Sequence, residues 1–252
     1  MKKSLLSCVV LGAFVLVSCK KSDVDGSNSA NQAAIAFQLN TSNESSTLGK
    51  MEGSKLVWKE GYAHAWKLIF DGVSDCNGKI EDDHHHKRGC HEYEDSMGRH
   101  HQVVEDTVDN GVIPFYTSGS GSFTGPVIDT VPVTPCQYRN SNFVILLQPA
   151  GTGAALVLKG SFDSIPVEFR VNQSLILKGT LDTAVVSGGK HYQAVITLNL
   201  AKLSHYLSSA DLGAATRDAS GVIIISSTSN RELYNRLLLH FYEMAEHSFR
   251  HE

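Results

Sequence analysis

The chain has 252 residues, 42% of them apolar, and a formal net charge of −4. That is enough apolar material for one buried core or two small ones. Its mild acidity argues against nucleic-acid binding and against electrostatic docking on anionic lipid.

Lys2 and Lys3 open the chain, and Leu5 to Val17 follow as an apolar run of thirteen residues. As a helix this run rises about 20 Å, short of a hydrocarbon core of about 30 Å. It reads as a signal peptide rather than a transmembrane anchor. It ends in Leu16-Val17-Ser18-Cys19, the lipobox pattern after which bacterial prolipoproteins are lipidated and cut. Residues 1–18 are therefore expected to be removed, leaving Cys19 as the lipidated first residue. Several acyl chains, palmitate among them, anchor stably where a single chain does not. Cleavage removes two lysines and no acid, leaving 20 basic and 26 acidic side chains, net −6.

The run Ser18-Cys19-Lys20-Lys21-Ser22-Asp23 resembles the start of Bacteroidota-type envelope lipoproteins. The resemblance covers the leader alone. It implies a cell-envelope location, lipid-anchored at the outer membrane because no Asp follows the cysteine. Lys21-Ser22-Asp23-Val24-Asp25 matches the surface-export pattern of that group poorly, so the periplasmic and surface faces both stay open.

From Cys19 to residue 50 the chain is rich in Ser, Asn, Ala and Thr and poor in large apolar side chains. It is expected to be a flexible tether, because too little surface can be buried to offset the ordering entropy. A single mainly-β domain is expected over 51–252. Leu56 to Phe70 has strand-like spacing and carries Trp58, Tyr62 and Trp66. These aromatics suggest either a glycan platform or, more commonly for strand aromatics, core. Residues 75–109 are polar, charged and His-rich, and are expected to form a loop. Gly111 to Tyr116 reads as a strand, and Ser118 to Ser122 as a Gly-Ser loop without phosphate-cradling spacing.

Asn142 to Gln148, Ala154 to Phe162, Ile165 to Val171, Ser174 to Leu181, His191 to Leu203 and Val222 to Ile225 read as short strands split by turn residues. In His191 to Leu203, Tyr192, Ala194, Ile196, Leu198 and Leu200 share one face. This pattern predicts an antiparallel β-sandwich or partly open barrel. Leu156 to Asp163 echoes Leu175 to Asp182, as expected of two similar strands in one sheet. A C-terminal helix is predicted over 229–249, with Ser229 and Glu232 at capping-box spacing. Its apolar stripe is Leu233, Leu237, Phe241, Met244 and Ala245.

Cysteine usage adds one constraint. Cys8 leaves with the leader and Cys19 is acylated, so Cys76, Cys90 and Cys136 remain. In an oxidising envelope two can pair, and sequence does not choose between the pairings. Cys76–Cys90 closes the shortest loop and would stabilise by about 3 kcal/mol.

Candidate chemistry sits in the His-rich segment. His84, His85, His86, His91, His100 and His101 lie within eighteen residues, interleaved with Glu81, Asp82, Asp83, Glu92, Glu94 and Asp95. Neutral imidazole ligates zinc and copper, and carboxylates orient it or ligate directly. The spacing is loose and matches no zinc motif. On the predicted terminal helix His240, Glu243, His247 and His251 share a face, where His247 and His251 offer a weaker metal pair. No nucleophile elbow or dinucleotide fingerprint is present, and the chain is expected to be non-enzymatic. Two roles follow. One is zinc or copper binding through the His-rich loop. The other is an interaction module for a glycan, protein or envelope component, with that loop merely solvated. A haem contact would need two facing imidazoles.

Overall fold

The computed structural model describes residues 32–43, 56–74, 89–94, 99–108, 111–116, 122–151 and 153–251, with the backbone alone for 89–92. These residues form strands β1 (Ala33–Ser42), β2 (Leu56–Ser74), β3 (Gly89–Glu94), β4 (His100–Thr107), β5 (Val112–Tyr116), β6 (Ser122–Phe123) and β7 (Val127–Val133). Then come β8 (Cys136–Leu147), β9 (Leu156–Phe162), β10 (Ile165–Val171), β11 (Leu175–Val186) and β12 (His191–Asn199). Two short helices, α1 (Leu200–Ser204) and α2 (Ser209–Ala214), precede β13 (Ile223–Ile225). Helix α3 (Arg231–His240), a 3-10 turn over Phe241–Met244 and β14 (Ala245–His251) close the chain.

The strands form two open sheets, not closed into a barrel. The smaller runs β14-β12-β1-β6, with β7 also on β1. The larger runs β11-β8-β2-β9-β10-β13, with β4 and β5 also on β2 and β3 beyond β4. The mainly-β, sandwich-like architecture with a C-terminal helix is the one the turn spacing predicts. Two pairings are parallel, β1 with β12 and β10 with β13. Ile35, Phe37 and Leu39 of β1 are fully buried, as are Phe143, Ile145 and Leu147 of β8. Phe37 and Phe143 join the sheets edge to face, their centroids 6.4 Å apart.

Several expectations are corrected. The stretch assigned to the tether contains β1, a strand paired on both flanks. Its alternating Ile35, Phe37 and Leu39 are diluted by Ala, Asn and Thr, which lowers the mean hydropathy that signals a core strand. Within the expected loop over 75–109, β3 and β4 form an antiparallel pair. The core-facing residues of β4 include Gln102 and Asp106, 2% and 4% exposed, so no apolar alternation marks the strand. Gln102 is held there by Thr134 Oγ1, to which its amide donates at 2.7 Å, and by the hydroxyl of Tyr138.

Other boundaries shift. The strand read to Leu203 ends at Asn199, whose side chain caps α1 by accepting from Lys202 N–H at 3.2 Å. The terminal helix stops at His240 and its 3-10 turn at Met244, after which 245–251 is strand. Asn230, at φ 49°, starts α3 without a side-chain cap bond, so Ser229 and Glu232 form no capping box. A capping box forms instead at Ser208 and Asp211 on α2. The apolar stripe survives these changes: Leu233, Leu237, Phe241 and Met244 are all buried.

The sequence echo has a packing cause. Gly160 of β9 lies opposite Trp58, and Gly179 of β11 opposite Phe143. In both strands Lys-Gly sets a lysine outward and leaves room for backbone or ring inward. A Cβ at Gly179 would lie 2.1 Å from the Phe143 ring, a group that the surrounding core holds. Gly179→Ala is therefore expected to destabilise by about 1–3 kcal/mol in denaturant unfolding. The β9–β10 turn offers the opposite change. Asp163 and Ser164 form its two-residue loop with φ of 45° and 70°, the type I′ pattern that favours Gly second. Ser164→Gly should stabilise by about 0.5–1 kcal/mol, read by the same measurement.

Candidate functional site

Cys19, Cys76, His84, His85 and His86 lie outside the described residues. His91 and Cys90 are placed only by the β3 register, opposite Val103 and Val104 of β4. His100 is exposed at the start of β4, opposite Glu94. His101, next to it, turns to the outer face of the sheet. Its Nδ1 is 3.5 Å from Asp71 of β2, and Tyr93 stacks on its ring at 4.5 Å with an interplanar angle of 9°. The β3–β4 pair thus brings an imidazole, a carboxylate and a phenol together. Among the described residues no group of three His, Cys, Asp or Glu is arranged to hold a metal ion.

The terminal histidines do not meet. On β14, His247 and His251 are four residues apart in an extended strand, about 13 Å along the chain. Each imidazole packs on an aromatic instead, His247 against Phe143 at 6.1 Å and His251 against Tyr192 at 5.3 Å. The shared helical face disappears because the chain is a strand after Met244. His240 and Glu243 do meet, His240 Nδ1 lying 3.0 Å from Glu243 Oε1. Tyr206 donates to the other carboxylate oxygen and stacks on His240, ring centroids 3.9 Å apart.

This cluster continues as a polar clasp between the α1–α2 region and the chain end. Lys202 reaches Glu246 at 2.7 Å, and Arg236 reaches Asp211 at 2.7 Å. Bonds from Tyr206, then His240, hold the Glu243 carboxyl below its ordinary value, and Glu243 in turn raises the Tyr206 phenol. The bond from Lys202 chiefly lowers Glu246. Burial works to raise Asp211, but its bonds from Ser208 and the Arg236 guanidinium outweigh that and lower it. Nothing in the clasp supplies an activated nucleophile; it fastens helices to β14.

A different surface has the character of a ligand face. β2 alternates, with Trp58, Ala63 and Ala65 turned into the core and Tyr62 and His64 turned outward. β5 pairs along this segment, setting Tyr116 opposite Glu60, Pro114 opposite Tyr62 and Val112 opposite His64. Tyr116 and Val112 are 61% and 57% exposed, and Phe123 of β6 meets Tyr116 edge to face at 6.3 Å. On the other side Tyr62 lies opposite Val157 of β9, which lies opposite Arg170 of β10. The next row is Glu60, Lys159 and Glu168, and Glu168 accepts from the Arg170 guanidinium. At the foot of the face, His64 Nδ1 and Gln148 Oε1 are buried without a hydrogen-bond partner. The result is an aromatic and apolar strip flanked by charges of both signs.

No known family, curated protein or solved structure matches the chain.

Of this face, sequence singles out Tyr62 and Trp66, with Trp58 beside them. The structure separates them: Trp58 is core at 1% exposure and Trp66 is exposed. Val112, Pro114 and Tyr116 are missed, because β5 is apolar on both faces and alternation does not say which one is buried. The available signal is Pro114, since proline within a strand marks an edge with solvent beside it.

A pH consequence follows from the clasp. A carboxylate whose folded pKa lies below its unfolded value adds stability above that unfolded value, about 4, and loses it as pH falls through the folded one. Asp211, Glu243 and Glu246 all carry this sign. The melting temperature should therefore fall as pH drops below about 4, with a shallower fall in Asp211→Asn/Glu246→Gln.

Proposed function

We propose that the protein is a non-enzymatic binding module of the bacterial cell envelope, held at the outer membrane through lipidated Cys19. Its ligand face is the outer surface of β5, β2, β9 and β10, and its ligand is a glycan. The strip of exposed Tyr116 and Val112 with half-buried Pro114 and Tyr62 carries this reading. Sugar rings present flat C–H faces that suit aromatic rings, and their hydroxyls suit mixed donors and acceptors. Around the strip Arg170 is already paired with Glu168, and Lys159 sits between Glu60 and Glu168. Balanced charges of this kind favour a neutral, hydroxyl-rich ligand over an anionic one. The envelope location has support from Cys136, which is disulfide-bonded. Such bonds persist in oxidising compartments and are rare in the cytosol.

The domain beginning after Cys19 is expected to sediment with purified envelope glycan and to bind soluble oligosaccharides in calorimetry. Tyr62→Ala/Tyr116→Ala should weaken binding about ten-fold or more at an unchanged melting temperature. Equal binding by the double variant would refute the assignment of the face.

A second reading keeps zinc or copper on the His-rich segment. The contact of His101 with Asp71 at one end of that segment favours it. Titrating either ion into a tagless domain should then give a dissociation constant below about 100 μM. That affinity should vanish in His84→Asn/His85→Asn/His86→Asn.

A further inference from the structure

Strand β11 ends the larger sheet, and among the described residues β8 is the only strand it pairs with. Its twelve residues, about 40 Å, therefore present a row of backbone N–H and C=O groups to one side. Edges of this length are commonly blunted by proline or by several charges. β11 has no proline, and its only charges are Lys178 and Asp182. On its outer face Ile176 and Val185 are 53% and 63% exposed, one near each end.

The alternation of β11 breaks once. Leu175, Leu177 and Gly179 are turned inward before the break, Ala184 and Val186 after it. Asp182 is the extra residue, at the point where the register passes over Asn140 of β8, itself at φ 47°. With Asp182 set aside, eleven residues remain in regular alternation, and Thr180 is their midpoint. The strand then reads alike from either end. Ile176 and Val185 stand equally far from Thr180 on the outer face, as do Lys178 and Thr183.

We infer that β11 docks antiparallel on β11 of a second copy of this chain, about a two-fold axis at Thr180. Such an interface is isologous, with the same strand on both sides. Ile176 of each copy faces Val185 of the other, and Thr180 faces its own counterpart. Apolar pairs and Thr–Thr pairs both stabilise a sheet across strands. Lys178 faces Thr183 and lies beside Asp182 of the other copy, so opposite charges approach each other twice. A shorter register centred on Lys178 would instead set two lysines face to face, which is destabilising. The inner rows match as well: Leu175 meets Val186, and Leu177 meets Ala184, so apolar layers continue across the join. The axis stands perpendicular to the sheet, which keeps the outer faces of both copies on one side.

Cysteine trapping of the full chain in non-ionic detergent, at about 100 μM, tests the pairing and its register. Directly opposed residues have Cα atoms about 4.5 or 5.5 Å apart, within disulfide range. Under mild oxidation Thr180→Cys should therefore become a linked dimer, with the link mapped to position 180. An equal mixture of Ile176→Cys and Val185→Cys should link likewise. Ile176→Cys alone should stay at the wild-type level, because its two copies lie about 27 Å apart. Sedimentation supplies a second measurement. Ile176→Lys/Val185→Lys sets like charges against each other at both ends and should weaken dimerisation at least ten-fold. Ile176→Lys/Val185→Glu should restore it, and both variants should melt as the wild type does, since both positions are exposed. Equal linking by Thr180→Cys and by Ile176→Cys alone, or equal masses for the two charge variants, would overturn the proposal. So would a wild type that stays monomeric, which would leave the edge to a strand of another protein.

Discussion

Strand β2 has four partners where an ordinary strand has two. Its 19 residues span about 60 Å, several times a usual strand, and different neighbours use its two halves. The first half pairs with β5 and β9, the second with β4 and β8. Irregularities at Trp58/Glu60, Ala65/Lys67 and Asp71/Val73 let one strand serve both sets. An extra residue bends a strand and increases its twist, which turns the two half-sheets relative to each other. The aromatic strip lies on the first half and the His101–Asp71 contact on the second. Both candidate surfaces are thus hung on one backbone.

This arrangement explains why the second half of the chain is legible in sequence and the first is not. From Asn142 to Ile225 most strands are short, bounded by turn residues, and pair with near neighbours such as β9 with β10. β10 falls over Ile165 to Val171 as read, and β9 and β13 differ by a residue or two. The first half depends on distant partners. β1 pairs with β12, more than 150 residues away, and tolerates small and polar residues because both its flanks are covered. β4 buries Gln102 and Asp106, so its pattern imitates a loop. Tertiary contacts supply what the local pattern omits.

The candidate site divides similarly. Residue type marks Tyr62 and Trp66, but only pairing shows that Pro114 and Tyr116 share their face. For the terminal histidines, a helical period fitted through residue 249 gives the wrong neighbours. The chain leaves the helix at Met244, and β14 completes the smaller sheet against β12. One change of period from 3.6 to 2 converts a shared face into two separate packing contacts. The hydrophobic stripe gives no warning, because Phe249 is packed against the core in the strand as a helical residue would be.

The position of β1 also has a mechanical meaning. With the chain held at Cys19, as proposed, only thirteen residues separate the anchor from Ala33, at most about 45 Å of chain. The domain then stands close to the bilayer. A pull on the anchor enters along β1, which is bonded to β7 and β6 on one flank and to β12 on the other. Those bonds run across the strand, so the load falls on many of them at once instead of opening them one by one. Loaded along its length, β1 must shear from the neighbours on both flanks.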